Sequence, residues 1–358
     1  MLETNCQTYT GKILKGSLQE EKKFSLKKEF LRKRTLFSFG LSLFLVYVFL
    51  SRTTVGDILH SASQVDLLFL ALAFLSHYVS YLVRGNRWKQ MIRPAGFSGG
   101  TVDLAKIIFL FQSVDCVLPA KLGDVYGAHL MKINFSLRRS FSLGSIFLWR
   151  LMDLVVAMAI IVVLALTLFG NRIPPEIVTA MKVAAPCLFI LLVVVGIFFR
   201  SHRWLLARFK SERIRGVIDS FQKGLRLNWK MVPSLLLSTT TIWFLEAGRF
   251  YFVCKSLGVD IPIIPVLFIS TSSALLTAVP FTPSGLGAVE LGMVGLLAFV
   301  GIGGPAAYPL IVWDRLIAHW SQILFGALLI LFSKAAHLEI WQFEEEGTPC
   351  PKKGLSPS

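Results

Sequence analysis

Apolar residues run through the chain in long blocks separated by short polar, basic segments. Blocks at residues 35–50, 66–83, 141–170, 178–199, 231–254 and 305–332 come close to or exceed the roughly 20 residues an α-helix needs to cross a bilayer. Two further apolar stretches are broken in the middle. The first runs from Leu104, is interrupted at Pro119-Ala-Lys-Leu-Gly-Asp124, and resumes to Met131. The second begins at Ile261, breaks at Pro280-Phe-Thr-Pro-Ser-Gly-Leu-Gly287, and resumes through Glu290 to Val300. Broken helices survive at membrane depth only where protein or a wet cavity surrounds them. Lys106 precedes the first break and Lys132, Arg138 and Arg139 follow it, so positive charge flanks it on both sides. A hairpin entering and leaving on one side satisfies that pattern better than a crossing helix.

Composition sharpens the class. Of 358 residues, 54% are hydrophobic and only 16% charged, and the mean hydropathy is +0.64. Too little polar surface remains to coat a soluble core of this size. The expected fold is an all-α polytopic membrane protein with about six full transmembrane helices and two broken, re-entrant hairpins. The net charge of +16 fits the positive-inside bias of membrane loops and gives no reason to expect nucleic acid. A basic tail, residues 1–34, and a basic loop, residues 200–230, are expected on the cytoplasmic side with a second tail at 336–358. Nine basic residues in the loop interleave with Trp204, Phe209, Ile214, Val217 and Phe221 at helical spacing, the pattern of an interfacial helix on inner-leaflet lipids. The tail admits the same reading or that of a solvated segment. Arg84, Arg87, Lys89 and Arg93 follow the second block and read as its cytoplasmic flank. A multi-pass protein of the inner (cytoplasmic) membrane with both termini cytoplasmic accounts for every charged flank. No signal peptide is visible, and the five cysteines form no C-x-x-C pair, so neither a metal site nor a cofactor is expected.

The two broken segments overlay with a shift of 164. Pro119, Leu122, Gly123, Val125 and Trp149 meet Pro283, Leu286, Gly287, Val289 and Trp313. The chain then divides into pseudo-repeats 35–170 and 178–333, each with three full spans and a hairpin. An odd number of spans requires the halves to be inverted, and inverted repeats with broken helices near the midplane are a transporter arrangement.

Candidate chemistry sits at the breaks and within the spans. A restarting helix offers free N–H groups and a positive dipole end to an anion. Pro119, Gly123, Pro283, Gly285 and Gly287 shape that backbone, and Lys121 adds a cation; the same prolines and glycines also suit plain tight packing. Arg150 with Asp153, and Glu246 with Arg249, stand three apart on single helices. Asp314 and Arg315 are adjacent, with His319 a turn further. Charges at this depth need partners. They form structural pairs, or the arginines Arg150, Arg249 and Arg315 hold a lipid phosphate while Asp124, Asp153, Glu246, Asp314 and above all Glu290 balance charge or couple protons. Glu290 has no evident local partner. Asp115 is a weaker candidate, and His77 and His129 read as hydrogen-bonded packing residues. No H-E-x-x-H, Walker loop or nucleophile elbow occurs, so the expectation is of a protein that is not an enzyme.

Leu118-Pro119 through Gly123-Asp124, Trp149-Arg150-x-x-Asp153, Pro280-x-x-Pro283-x-Gly-Leu-Gly287-x-x-Glu290 and Asp314-Arg315 resemble the lysylphosphatidylglycerol synthase transmembrane-region family, the flippase-like integral membrane proteins, over residues 35–335. Ser284 stands where glycine is usual, and Asp124 where glutamate is common. The resemblance implies a lipid translocase domain, with an anionic membrane lipid as substrate. In some members an aminoacyl-transferase domain follows; the chain ends about 25 residues after its last span, so that synthase activity is not expected. The expected function is movement of an anionic phospholipid or polyprenyl-phosphate-linked headgroup by alternating access. A membrane enzyme or enzyme subunit of lipid-linked glycan or aminoacyl-lipid biosynthesis, and a non-transporting envelope scaffold, are the alternatives.

Overall fold

The computed structural model describes residues 33–51, 56, 61–119, 121–170, 173–201, 208–209, 211–277 and 282–333. The expected basic N-terminal tail, most of the Trp204 part of the loop, Pro280 and the C-terminal tail lie outside them. Helices account for nearly all the described secondary structure, and no strand occurs among those residues.

The order is α1 (Lys33–Leu50), α2 (Leu67–Ile92), α3 (Thr101–Val117), α4 (Leu122–Phe135), α5 (Arg139–Phe169), α6 (Pro175–Arg200), α7 (Glu212–Gly224), α8 (Val232–Ser256), α9 (Ile263–Leu276), α10 (Ala288–Phe299), α11 (Ala307–Arg315) and α12 (Ser321–Ser333). A π-helical turn, Leu316–Trp320, joins α11 to α12. Four stretches among the described residues are long and apolar enough to cross a membrane: Leu67–Ala95, Arg139–Phe169, Pro175–Phe198 and Ala307–Phe332. At 31 residues, α5 is about 46 Å long. The protein is an all-α polytopic membrane protein.

One boundary corrects the sequence reading. The second helix does not stop at Val83 but continues to Ile92. Arg84 and Arg87 therefore belong inside the helix bundle and are not a solvated flank. Asp66 starts this helix by accepting from the Leu68 and Phe69 N–H groups.

Each broken stretch forms a helical hairpin. In the first, a Cβ on Gly123 would lie 2.0 Å from the Phe111 carbonyl oxygen and 2.6 Å from Asp115, while one on Gly127 would strike the Phe111 ring. As position advances along α4 its neighbour retreats along α3, so the two helices are antiparallel and touch backbone to backbone. In the second, Gly292 faces Leu276 and Gly285 faces Thr277 in the same sense. The apolar cores follow these units. Trp88, Phe111 and Trp149 unite α2, α3 and α5 around the first hairpin, and Phe250, Ile269, Met293 and Ile311 unite α8, α9, α10 and α11 around the second. Leu45 of α1 closes on Gly287. α2 and α8 pack along each other and join the two groups, with Ser76 donating to the Leu245 carbonyl at 2.6 Å.

Candidate functional site

The charged side chains of the spans do not pair as their spacing suggests. Arg150 does not bond Asp153, three residues on. Its guanidinium turns to the first hairpin, with Nε 2.7 Å from Asp124 Oδ2 and Nη2 2.9 Å from Asp115 Oδ2. Asp115 in turn accepts from the Gly123 N–H at 2.8 Å. Asp153 is taken instead by Arg87, which engages both of its oxygens and donates to Thr239 Oγ1 at 2.8 Å. Arg87 is 0% exposed, and its guanidinium lies 5.6 Å from the Trp149 ring centre.

Around Glu246 a second cluster forms. Arg84 Nη2 donates to it at 2.9 Å and Ser80 Oγ at 3.2 Å, while His77 Nδ1 and Arg249 Nη1 each stand 3.5 Å away. Glu246 and Arg249 are thus neighbours on one helix, as their spacing suggests. Arg249 also reaches Asp314 at 3.2 Å. Arg315, beside Asp314 in sequence, points elsewhere, with Nε 3.6 Å from Glu290 Oε1. Glu290 is therefore not partnerless. Its other oxygen accepts from the Gly287 N–H at 2.6 Å, satisfying a free donor at the start of α10. His129 contacts Arg139 Nη2 at 3.0 Å.

The breaks themselves differ from expectation. An anion was to approach the backbone where Gly285 and Gly287 lack Cβ atoms, but Val289 and Leu45 fill those directions at 2.6 and 2.3 Å. The Gly123 and Gly287 N–H groups are already occupied by Asp115 and Glu290. At these glycines packing prevails over ligand access, because the hairpin helices touch only if the Cβ is absent. Two non-glycine residues adopt left-handed backbone here: Lys121 (φ 56°) and Ser284 (φ 47°). Such a conformation costs about 1–2 kcal/mol for an L-residue, and it turns both side chains toward one cavity. The hairpins touch, with α3 packing against the turn Pro283–Gly285.

That cavity, about 390 Å³, gathers residues from across the chain. Arg84, Lys121, Arg150, Arg249 and Arg315 line it, against the carboxylates Asp115, Asp153 and Glu246. In the lining itself cations outnumber carboxylates by five to three, while Asp124, Asp314 and Glu290 stand directly behind Arg150, Arg249 and Arg315. Of the expected site residues, Lys121, Arg150, Arg249, Arg315, Asp153 and Glu246 meet there. Pro119, Gly123, Pro283, Gly285, Gly287, Asp124, Glu290 and Asp314 are not among its lining and act from behind it. Arg84, which reads as a flank in the sequence, and His77, which reads as a packing residue, also line the cavity. Their spacing from each other and from Tyr81 on one helix face was the available signal. The Nε–H groups of Arg84, Arg249 and Arg315 and the indole N–H of Trp243 are buried and find no hydrogen-bond acceptor among the described residues; Trp243 lines the same cavity. No group of three or more His, Cys, Asp or Glu that could hold a metal occurs among the described residues.

An all-helical membrane domain enclosing a charged cavity beside two helical hairpins is the class of protein this arrangement defines. The chain belongs to the family described as the lysylphosphatidylglycerol synthase TM region, which matches residues 35–326. It is similar to a UPF0104 membrane protein of Methanocaldococcus jannaschii, 32% identical over 218 residues, covering 60% of this chain and 92% of the relative. A UPF0104 membrane protein of Pyrococcus horikoshii is 24% identical over 302 residues, 75% of this chain and 88% of the relative. The glycosyltransferase AglD of Haloferax volcanii is 26% identical over 310 residues, 75% of this chain and 48% of the relative. This last likeness corrects the expectation of a protein that is not an enzyme. A relative along three-quarters of the chain carries an enzyme's name, so the missing catalytic motifs do not separate the chain from enzymes.

Proposed function

We propose that the cavity binds the anionic headgroup of a membrane lipid and that the protein carries this headgroup across the bilayer. The observation behind the reading is that five cations from distant parts of the chain, Arg84, Lys121, Arg150, Arg249 and Arg315, line one cavity. The oxygens of a phosphate or carboxylate satisfy several guanidinium donors at once. Arg84 and Arg249 hold the headgroup, Glu246 keeps them apart and oriented, Lys121 approaches from the first hairpin and Arg315 from the end of α11. Glu290 is a cap and an anchor for Arg315. The two hairpin-bearing halves are inverted repeats that rock about the cavity, with the basic ends of α2, α4, α5 and α7 in the cytoplasm at the inner membrane. The amphipathic α7 rests on inner-leaflet lipids.

A second reading, favoured by the name of the Haloferax relative, places the chain in lipid-linked glycan assembly with the same headgroup site. One experiment separates the two. Proteoliposomes carrying fluorescent phosphatidylglycerol or a short-chain polyprenyl phosphate are scored for protein-dependent loss of headgroup protection. Wild type is expected to flip one lipid, with Arg84→Gln and Arg249→Gln at least tenfold slower. Absence of flipping by folded protein, together with sugar transfer from a sugar nucleotide to the polyprenyl phosphate, overturns the translocase reading in favour of the second.

A further inference from the structure

The cavity reaches the edge of the protein on one side. Among its lining, α5 supplies Phe147, Leu151 and Leu154, a single helical face at spacings of four and three, and α6 supplies Leu191. α6 is a perimeter helix: none of its most apolar eighteen-residue stretch is buried. A cavity lined by a residue of a wholly peripheral helix meets the lipid at that helix.

The packing of α6 shows how this opening is held. At its N-terminal end Ile177 joins a small core with Ile161, Ala165 and Phe268. At its C-terminal end the Phe198 carbonyl accepts from Gln222 Nε2 at 2.8 Å, and the Phe198 and Phe221 rings stand 6.1 Å apart. Between these fastenings the helix contains Pro186, which lacks an N–H and interrupts the hydrogen-bond ladder. Phe189, Ile190 and Val194 there are more than half exposed. The helix is pinned at both ends and free in the middle, where Leu191 borders the cavity. The lining charges come from α2, α3, α8, the first break, the end of α11 and one stripe of α5; α5 and α6 adjoin with apolar residues alone, while further apolar lining comes from Ile242 and Trp243 of α8 and Ala274 and Leu275 of α9. At about 390 Å³ the cavity lies near the lower end of ligand-pocket volumes, enough for a headgroup but not for its hydrocarbon chains as well.

We propose that the cavity opens sideways into the bilayer between α5 and the middle of α6. Its ligand is an amphiphile whose anionic head lies among the arginines while its hydrocarbon chain leaves past Phe147, Leu151, Leu154 and Leu191. The inference rests on the anion-site reading above and adds to it that the ligand never leaves the membrane. A soluble anion of the same charge fits the head site but makes no use of the window.

The test uses the full chain in nanodiscs with phosphatidylglycerol carrying a diazirine at its acyl end. Photo-adducts are mapped by mass spectrometry in wild type and in Arg84→Gln/Arg249→Gln protein of matched melting temperature. Adducts concentrated at 147–154 and 189–194, and lost in the arginine variant, are expected. Adducts no denser there than on the exposed α12 residues Leu324 and Leu331 overturn the window. Window adducts that persist without the arginines refute the anion site, and the proposal falls with it. Leu154→Trp/Leu191→Trp, which fills the opening without touching a charge, supplies a second readout. It is expected to slow lipid flipping at least tenfold while glycerol phosphate binds within twofold of wild type. Unchanged flipping in this variant also overturns the window.

Discussion

Arg87 offers the sharpest test of how the charged interior is built. It is fully buried, engages both oxygens of Asp153, donates to Thr239 and lies over Trp149. Arg87→Met keeps most of the side-chain volume and removes the charge, leaving Asp153 without its counter-ion. Stripping one partner from a buried ion pair typically costs about 3–5 kcal/mol. The Asp153 side chain keeps 22% exposure at the cavity, so water tempers the penalty and the expected loss is near the lower end, about 3 kcal/mol. Arg87→Met/Asp153→Leu removes both charges and fills the space with apolar atoms. It is expected to return to within about 1 kcal/mol of wild type, because apolar replacement of a whole buried pair is often neutral. The assay is reversible denaturation in mixed micelles, followed by tryptophan fluorescence. A single variant as stable as wild type, or a double variant no better than the single, refutes the view that Arg87 and Asp153 form a structural pair.

Other consequences follow from the hairpins and caps. Gly123→Ala places a methyl group against the Phe111 carbonyl and Asp115, so the first hairpin must part and a loss of more than about 2 kcal/mol is expected; Gly295→Ala, with open space around it, should gain up to about 1 kcal/mol. The same denaturation assay compares the two. Glu290→Gln keeps an acceptor for the Gly287 N–H but leaves the buried Arg315 without its counter-ion, so a loss of about 3 kcal/mol is expected; Glu290→Ala also uncaps α10 and should cost about 1 kcal/mol more. Equal losses in the two Glu290 variants count against the cap. Lys255→Met breaks an ion pair with the exposed Asp260 and should leave the melting temperature unchanged.

The positions of the apolar blocks, the proline–glycine breaks within two of them and the chemical oddity of arginines and carboxylates inside spans are all legible in the chain itself. They depend on local composition, because a bilayer-crossing helix must satisfy its own backbone and bury apolar side chains whatever its neighbours. Even the Glu246–Arg249 neighbourhood is visible, since three residues along a helix return to the same face. The other partnerships are not. Arg150 finds Asp124 and Asp115 in the hairpin, Asp153 finds Arg87 66 residues earlier, and Arg84 finds Glu246 162 residues later. Arg84 and Arg87 look like a flank because a charge count along the chain marks where apolar composition stops. It does not mark where α8 lies alongside α2 to shelter what comes next. Likewise the glycines of the breaks suggest an opening for a ligand until α1 and the hairpin partners arrive to fill it. Which segments are apolar enough to enter a membrane is set by the sequence, because that free energy is summed residue by residue along each helix. Tertiary structure alone decided which charges meet and where a cavity remains, because a buried charge takes whichever counter-ion the packing of distant helices brings within about 3 Å.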